Sequence, residues 1–265
     1  MNGSKPKKVL KVLVLSDLRY IKRLHQADLR FEAYLVTMSE LDRAAISAMR
    51  RSYGDQGLSE ADLAPNPLAQ FQSWLHEAAQ NPIIVEANAM VLGTIEEDGP
   101  ATRTVLLKDV TDGGFTFFSN YQSQKGRQIA LNPKVSLLFP WYAMERQVII
   151  LGAAKEIDRS ESEEYFATRP WSSQIGAWAS LQSEPLVSRS ELEVRFQKYS
   201  KEFPEGSSVP IPPYWGGYVV QATSIEFWQG RYSRLHDRIR YTANSFEGQY
   251  LGLANNGWKA ERFFP

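Results

Sequence analysis

Arg234-Leu235-His236-Asp237-Arg238 follows closely on Phe227-Trp228-Gln229-Gly230. Two guanidiniums and an imidazole thus fall within five residues, just after a tryptophan. Arginine keeps its charge and offers a planar fork that suits a phosphate or an electron-rich ring. Histidine is the side chain that changes charge near neutral pH. As a regular strand this stretch would turn Arg234, His236 and Arg238 to one face and Asp237 to the other. Such a face suits an anionic aromatic ligand better than an apolar core.

Other groups could join it. Tyr165, Arg169 and Ser173 are spaced four apart. The first two share a helix face, and Pro170 breaks the helix, so Ser173 would return from the next helix start. A phenol, a guanidinium and a hydroxyl there make a candidate phosphate cup, balanced against a plain exposed helix end. Ser123-Gln124-Lys125-Gly126-Arg127 opens a helix, where free N–H groups and the dipole favour an anion, although many solvated helices begin this way. Arg103 and Lys108 bracket an apolar run, and their odd spacing puts them on opposite faces of a strand; taken alone they read as solvated ends. Gln182-Ser183 is a polar pair after the apolar Trp178. Of the three histidines, His76 reads as structural and His25 lies in a basic leader. With no cysteine and no histidine–carboxylate cluster at ligand spacing, no metal site and no Ser-His-Asp arrangement is expected.

The elements that must position these groups are mostly strands. Ala89 to Ile95, Ala101 to Val110 and Phe115 to Asn120 are rich in β-branched and aromatic residues, are bounded by Asp98-Gly99 and Asp112-Gly113, and read as a meander. Val135 to Trp141, Gln147 to Ile157, Tyr218 to Thr223, Ile225 to Trp228, Arg238 to Thr242 and Trp258 to Phe263 complete the strands. Helices are expected at Ser39 to Arg51, Leu68 to Ala79 and Ser123 to Leu131. Three more are expected: one after a Ser160/Glu163 capping box, one capped by Ser172 or Ser173, and one after a Ser188/Glu191 box. Pro204 to Pro213 and Ser245 to Gly257 read as connections. The sum is a mainly β chain with peripheral helices (α+β), closer to a barrel than to alternating βαβ units. No Gly-rich phosphate loop is present, so side chains must do much of any phosphate binding.

Formal net charge is zero, which leaves no global field drawing the protein to nucleic acid or membrane; any anion site must be local. The absence of cysteine excludes a disulfide framework and fits a cytoplasmic location. No apolar run approaches the roughly 20 residues that span a bilayer. Residues 1–37 carry more Lys and Arg than Asp and Glu and read as a flexible basic extension ahead of a domain covering residues 38–265.

Several blocks, taken in order, resemble the pyridoxamine 5′-phosphate oxidase family: Met49-Arg50-Arg51-Ser52-Tyr53, Arg103-Thr104-Val105-Leu106-Leu107-Lys108, Asn132-Pro133-Lys134-Val135-Ser136, Glu145-Arg146-Gln147-Val148, Arg169-Pro170-Trp171-Ser172-Ser173-Gln174, Trp215-Gly216-Gly217-Tyr218, and the stretch from Glu226 to Arg238. The resemblance runs from about Ser39 to Pro265. It implies an FMN-binding split β-barrel working as a homodimer, with flavin at the subunit interface. The implied reaction is oxidation of pyridoxamine or pyridoxine 5′-phosphate by O2.

Carried onto this chain, Arg103, Thr104, Val105, Leu106, Leu107, Lys108, Phe118, Ser119, Lys125, Gln147, Gln182, Ser183, Trp228 and Arg238 would hold FMN. Lys108, Tyr165, Arg169 and Ser173 would hold the substrate phosphate, and Arg50, Arg51, Ser52 and Tyr53 would close over it. Arg234, Leu235 and His236 would lie against the pyridine ring, with Arg234 and His236 as the catalytic pair. Where the family usually has arginine before the lysine, this chain has Gln124, which implies a looser hold on the FMN phosphate. It also ends Arg262-Phe263-Phe264-Pro265 where leucine more often follows the arginine. Two other readings stay open: another split-barrel flavin or deazaflavin reductase, and a non-catalytic flavin or pyridoxal phosphate binder.

Overall fold

A computed structural model describes residue 46, residues 52–243 and residues 250–265. The helix expected over Ser39 to Arg51 lies outside the described residues except at Ile46, which is helical, and the basic extension lies wholly outside them. Ser52–Pro265 forms one compact unit.

Nine strands are described: β1 Ala89–Glu96, β2 Gly99–Leu106, β3 Asp109–Thr111, β4 Gly114–Asn120, β5 Lys134–Trp141, β6 Arg146–Glu156, β7 Trp215–Gln229, β8 Asp237–Ala243 and β9 Trp258–Phe263. Five helices accompany them: α1 Pro67–Gln80, α2 Gln124–Leu131, α3 Arg159–Thr168, α4 Trp171–Ala179 and α5 Arg189–Glu202. Every strand pair is antiparallel, and the order is β2-β1-β5-β6-β7-β4-β3, with β8 joining β7 and β9 joining β8.

The long strand β7 explains this branching. One edge runs along β6 from Tyr218 to Gln229. Its other edge pairs with β4 from Trp215 to Val220 and with β8 from Ser224 to Gln229. The change of partner falls where the β6 register shifts: Gly152 opposes Ala222 and Leu151 opposes Ser224, so Thr223 is the extra residue of a bulge. A bulge bends and twists its strand, and here it turns β7 from one partner to the next. The sequence reading split this strand in two at the same place. The expected meander is corrected as well. β1 pairs with β2 and the short β3 pairs with β4, but β2 and β3 stand at opposite ends of the strand order, with β4 on the far side of β7. The strand expected from Ala101 to Val110 breaks at Leu107-Lys108, because the backbone there changes partners: Leu107 N donates to Asn88 O, and Lys108 N donates to Thr116 O.

Helix α1 fills the space between the strands. Asn66 Oδ1 accepts from Ala69 N and Pro67 begins the first turn, two features that favour a helix start. Phe71, Trp74 and Ala78 line its buried face. The Phe71 ring meets Phe115 of β4 at 4.9 Å and Phe139 of β5 at 5.0 Å, so one side chain joins strands far apart in the sheet order. Truncating so enclosed an aromatic costs about 3–5 kcal/mol.

A smaller core of Phe166, Ile175, Val209 and Trp215 joins α3 and α4 to the start of β7. Arg159 secures it by donating to the carbonyls of Ile211, Pro212 and Trp215. Two capping expectations fail. Asp158 and Pro170 occupy the N-cap positions of α3 and α4, so Ser160, Ser172 and Ser173 already lie inside the first turns. Glu163 pairs instead with Arg159. Ser188 does cap α5, accepting from Glu191 N.

Candidate active site

The end of β2, the end of β4, the start of α2 and the α3–α4 corner surround a cavity of about 460 Å³. Eleven of the residues singled out in the sequence line it. Thr104, Val105, Leu106 and Lys108 come from the β2–β3 crossing, Phe118 and Ser119 from β4, Lys125 from α2, Tyr165 from α3, Arg169 from the corner, Ser173 from α4, and Gln182 from the segment after it. The Tyr165–Arg169–Ser173 cup therefore forms, although Ser173 reaches it from within the first turn of α4 rather than as its cap.

One wall is aromatic. Phe118 stacks on Tyr165 at 3.9 Å and on Trp215 at 5.4 Å, with interplanar angles of 17° and 12°. Gly217, paired with Phe118 across β4 and β7, permits this, since a Cβ there would stand 2.8 Å from the Phe118 ring and 2.5 Å from Ile157. The Arg169 guanidinium lies over Trp215 at 4.6 Å, and its Nη1 is buried without a hydrogen-bond partner. Burial lowers its pKa from the ordinary arginine value. Lys125, 8% exposed, reaches only neutral oxygens, Gln182 Oε1 at 3.1 Å and Ser123 Oγ at 3.3 Å. Burial, with Arg103 adding repulsion, brings its pKa down to about 8. Among the described residues no carboxylate lines the cavity. Buried cations without a counter-charge are costly, so this chamber suits an anion, and its stacked wall suits one attached to a flat ring. FMN and a pyridoxine phosphate both match that donor set.

Some predicted residues stand outside it. Leu107 is buried in the main core. Arg103 donates to Thr94 Oγ1 and to Gln128 Oε1, which accepts at 2.8 Å. Gln124 is exposed, with its amide donating to Glu96 Oε2 at 3.2 Å, and Ser183 is exposed with a φ of 75°. Arg50 and Arg51 lie outside the described residues.

Ser52 is exposed, and the other predicted residues gather in a second cluster. Gln147, Trp228 and Arg238 stand in one row across β6, β7 and β8. Tyr53 presents an edge to both Trp228 and His236, at 5.9 and 5.4 Å, and Trp228 and His236 are 4.6 Å apart. Here the expected strand is corrected. Arg234 ends a short 3-10 turn, Tyr232–Arg234, with φ of 61°, and β8 begins only at Asp237. Arg234 and His236 therefore do not alternate with Arg238 on a strand face. Leu235 is 67% exposed. His236 Nδ1 accepts from Arg231 N at 3.0 Å, so Nε2 carries the proton of the neutral ring. Burial and then Arg234 lower its pKa, with Asp237 acting against them. Asp237 does point away, accepting from Leu58 N and Arg262. Trp215 of the cavity and Trp228 of this cluster are separated by up to about 40 Å of strand at 3.3 Å per residue.

Sequence reasoning missed Asn120, Gly176, Ala177, Ser180 and Trp215 as lining residues. The run of small residues on α4 was the available signal, since small side chains leave volume beside a helix.

The branched antiparallel sheet and its cationic, aromatic-walled chamber define the class: a flavin-binding split β-barrel. A family model described as "Pyridoxamine 5'-phosphate oxidase" matches residues 76–202, and one described as "Pyridoxine 5'-phosphate oxidase C-terminal dimerisation region" matches residues 215–265. The chain belongs to the pyridoxamine 5′-phosphate oxidase family. It is 46% identical over 223 residues to the pyridoxine/pyridoxamine 5′-phosphate oxidase of Streptomyces avermitilis, covering 83% of this chain and 96% of that one. Among solved structures, PhzG from Burkholderia lata, in complex with tetrahydrophenazine-1-carboxylic acid, superposes with a TM-score of 0.70 at 27% identity, over 80% of this chain and all of that one. A pyridoxamine 5′-phosphate oxidase-related, FMN-binding protein from Nostoc punctiforme shares the fold, with a TM-score of 0.56 at 17% identity over 77% of this chain and 99% of that one. Among the described residues no helix is long and apolar enough to cross a membrane.

Proposed function

We propose that this protein oxidises pyridoxamine 5′-phosphate or pyridoxine 5′-phosphate to pyridoxal 5′-phosphate in an FMN-dependent reaction. Oxygen is the acceptor and becomes hydrogen peroxide; the amine substrate also takes up water and releases ammonia. The observation that carries this reading is the chamber in which buried Lys125 and the buried Nη1 of half-buried Arg169 meet no carboxylate among the described residues, beside a stacked aromatic wall. When bound, FMN supplies the two-electron acceptor chemistry, which no side chain of this protein provides.

The chain's own part is to bind and orient. Lys125, Gln182, Ser119 and the β2 end hold the flavin. Tyr165, Arg169, Ser173 and Lys108 hold the substrate phosphate, giving charge-assisted bonds to its oxygens. Arg234 fixes the attitude of the pyridine ring, and His236 donates from Nε2 to a ring substituent. The two clusters stand toward opposite ends of β7, at Trp215 and at Trp228, so in this reading one chain does not place all of these on one ligand pair. A homodimer resolves this: the row of Gln147, Trp228 and Arg238, with Tyr53, Arg234 and His236, closes over the partner's chamber. The match of residues 215–265 to a dimerisation region supports that arrangement.

The test is the absorbance spectrum of the purified protein, followed by pyridoxamine 5′-phosphate without oxygen. The expected result is a flavin band that bleaches and returns with air, releasing peroxide. A flavin band that stays unchanged would refute the oxidase reading and leave a binding protein. Bleaching by reduced nicotinamide alone would indicate a reductase.

A further inference from the structure

Glu226 is a carboxylate only 4% exposed, on the face of β7 opposite the core residues Ile225 and Phe227, to which neither the family resemblance nor the site described above gives a task. It stands on β7 opposite Arg240 of β8, diagonal to Arg238, which stands opposite Trp228. Arg238 donates Nε to Glu226 Oε1 at 3.0 Å and Nη2 to Oε2 at 2.9 Å, a forked pair. Arg240 donates Nε and Nη2 to the same Oε2, at 3.1 and 2.7 Å. Burial alone would push the Glu226 pKa up, but the two guanidiniums more than offset it and the net shift is downward.

The geometry has two consequences. Arg238 and Arg240, two apart on one strand, share a face, and without an anion between them they would repel. The forked pair also fixes the plane of the Arg238 guanidinium, which a single-point contact would not. Its Nη1 is held by the carbonyl of Phe264 at 3.0 Å, so three of its groups are fixed before any ligand arrives. Of the five N–H bonds that a guanidinium carries, two remain to offer. Arg240 is held differently, stacked over Phe263 at 4.2 Å.

We propose that Glu226 is a positioning residue that pre-orients Arg238 for the phosphorylated flavin, with Arg240 as the second cation that keeps the carboxylate charged and in place. This deepens the reading above and rests on Arg238 being a flavin contact. Because Glu226 touches no ligand, it acts by removing the ordering cost that a free arginine would pay on binding.

The experiment is a fluorescence titration of flavin-stripped full-length protein with FMN, alongside melting temperature and kcat at saturating FMN. Glu226→Gln should weaken FMN binding about ten- to a hundredfold, the effect of losing a charge-assisted pair, while kcat at saturation is kept. Arg240→Met breaks the other half of the network and should lower the melting temperature without the same loss of FMN affinity. Glu226→Asp keeps the charge but is too short to bridge both cations, and should fall between wild type and Glu226→Gln; it also serves if Glu226→Gln does not fold. Unchanged FMN affinity in Glu226→Gln, or an equal loss in Arg240→Met, would overturn the proposal by showing a purely structural tie. Unchanged FMN affinity in Arg238→Gln would overturn instead the assignment of Arg238 to the flavin.

Discussion

The ring of Phe118 lies 3.9 Å from that of Tyr165, only 17° from parallel. Phe118 comes from strand β4 and Tyr165 from helix α3, and both line the chamber, so this contact ties a strand to a helix at its wall. Aromatic pairs of this kind carry about 0.5–1.5 kcal/mol beyond their burial. A double-mutant cycle on Phe118→Leu and Tyr165→Leu, read by denaturant unfolding, should return a coupling of that size. Additive effects would show that the stack contributes only buried area.

The unpartnered Nη1 of Arg169 is a cost that a ligand can relieve. A buried unsatisfied donor costs about 1–3 kcal/mol. Arg169→Met should therefore keep or raise the melting temperature of the ligand-free protein, while inorganic phosphate, which stabilises the wild type, should no longer raise it. Stabilisation by a ligand at a hundred times its Kd is about 2.7 kcal/mol, large enough to read in a thermal scan. An equal response to phosphate in both proteins would remove Arg169 from the anion site.

Lys125 gives a pH dependence of definite sign. Its pKa in the fold is about 8, below the ordinary lysine value of 10.5. Between these values the unfolded chain binds more protons than the native one, so this group makes the ligand-free protein more stable as pH rises across that window, and its penalty is fully present below it. Anion binding runs the other way, because it needs the charged ammonium. Phosphate affinity of the flavin-free protein should fall above about pH 8, by at most about tenfold per unit for one proton. Lys125→Met should abolish that slope, and a slope left intact would place the titration elsewhere.

Arg234 stands apart from the chamber that Lys125 and Arg169 share. Its loss should cost orientation rather than flavin. Arg234→Ala should purify with the wild-type flavin content, measured by absorbance after denaturation, yet turn over about a hundredfold more slowly, the usual effect of a misplaced substrate. Normal turnover would refute the assignment, and a colourless protein would recast Arg234 as a flavin residue.

Much of the chamber was legible from types and spacing. Tyr165 and Arg169 lie four apart before a helix-breaking proline, and the next helix returns Ser173 to the same place, as local geometry requires. The Ser188 cap was legible for the same reason, since a cap is decided within four residues. The Ser160 cap was not: the helix already begins at Arg159, after Asp158, and Arg159 is drawn to carbonyls more than fifty residues away. The loop at Ser233-Arg234 hid itself because two non-glycine residues take φ of 55° and 61°, a left-handed conformation that a strand pattern does not announce.

By itself the sequence determined which segments become strands and helices, because alternation and helical spacing are read within a few residues, and it determined which cations are available. Only the tertiary structure decided that β7 changes partners at Thr223, that Leu107 turns into the core while Lys108 turns into the cavity, and that Arg238 is held by Glu226 rather than left in solvent. The reason is range. Strand pairing, burial without a counter-charge and forked ion pairs depend on residues brought together from distant parts of the chain, and nothing in the local pattern records which ones will meet.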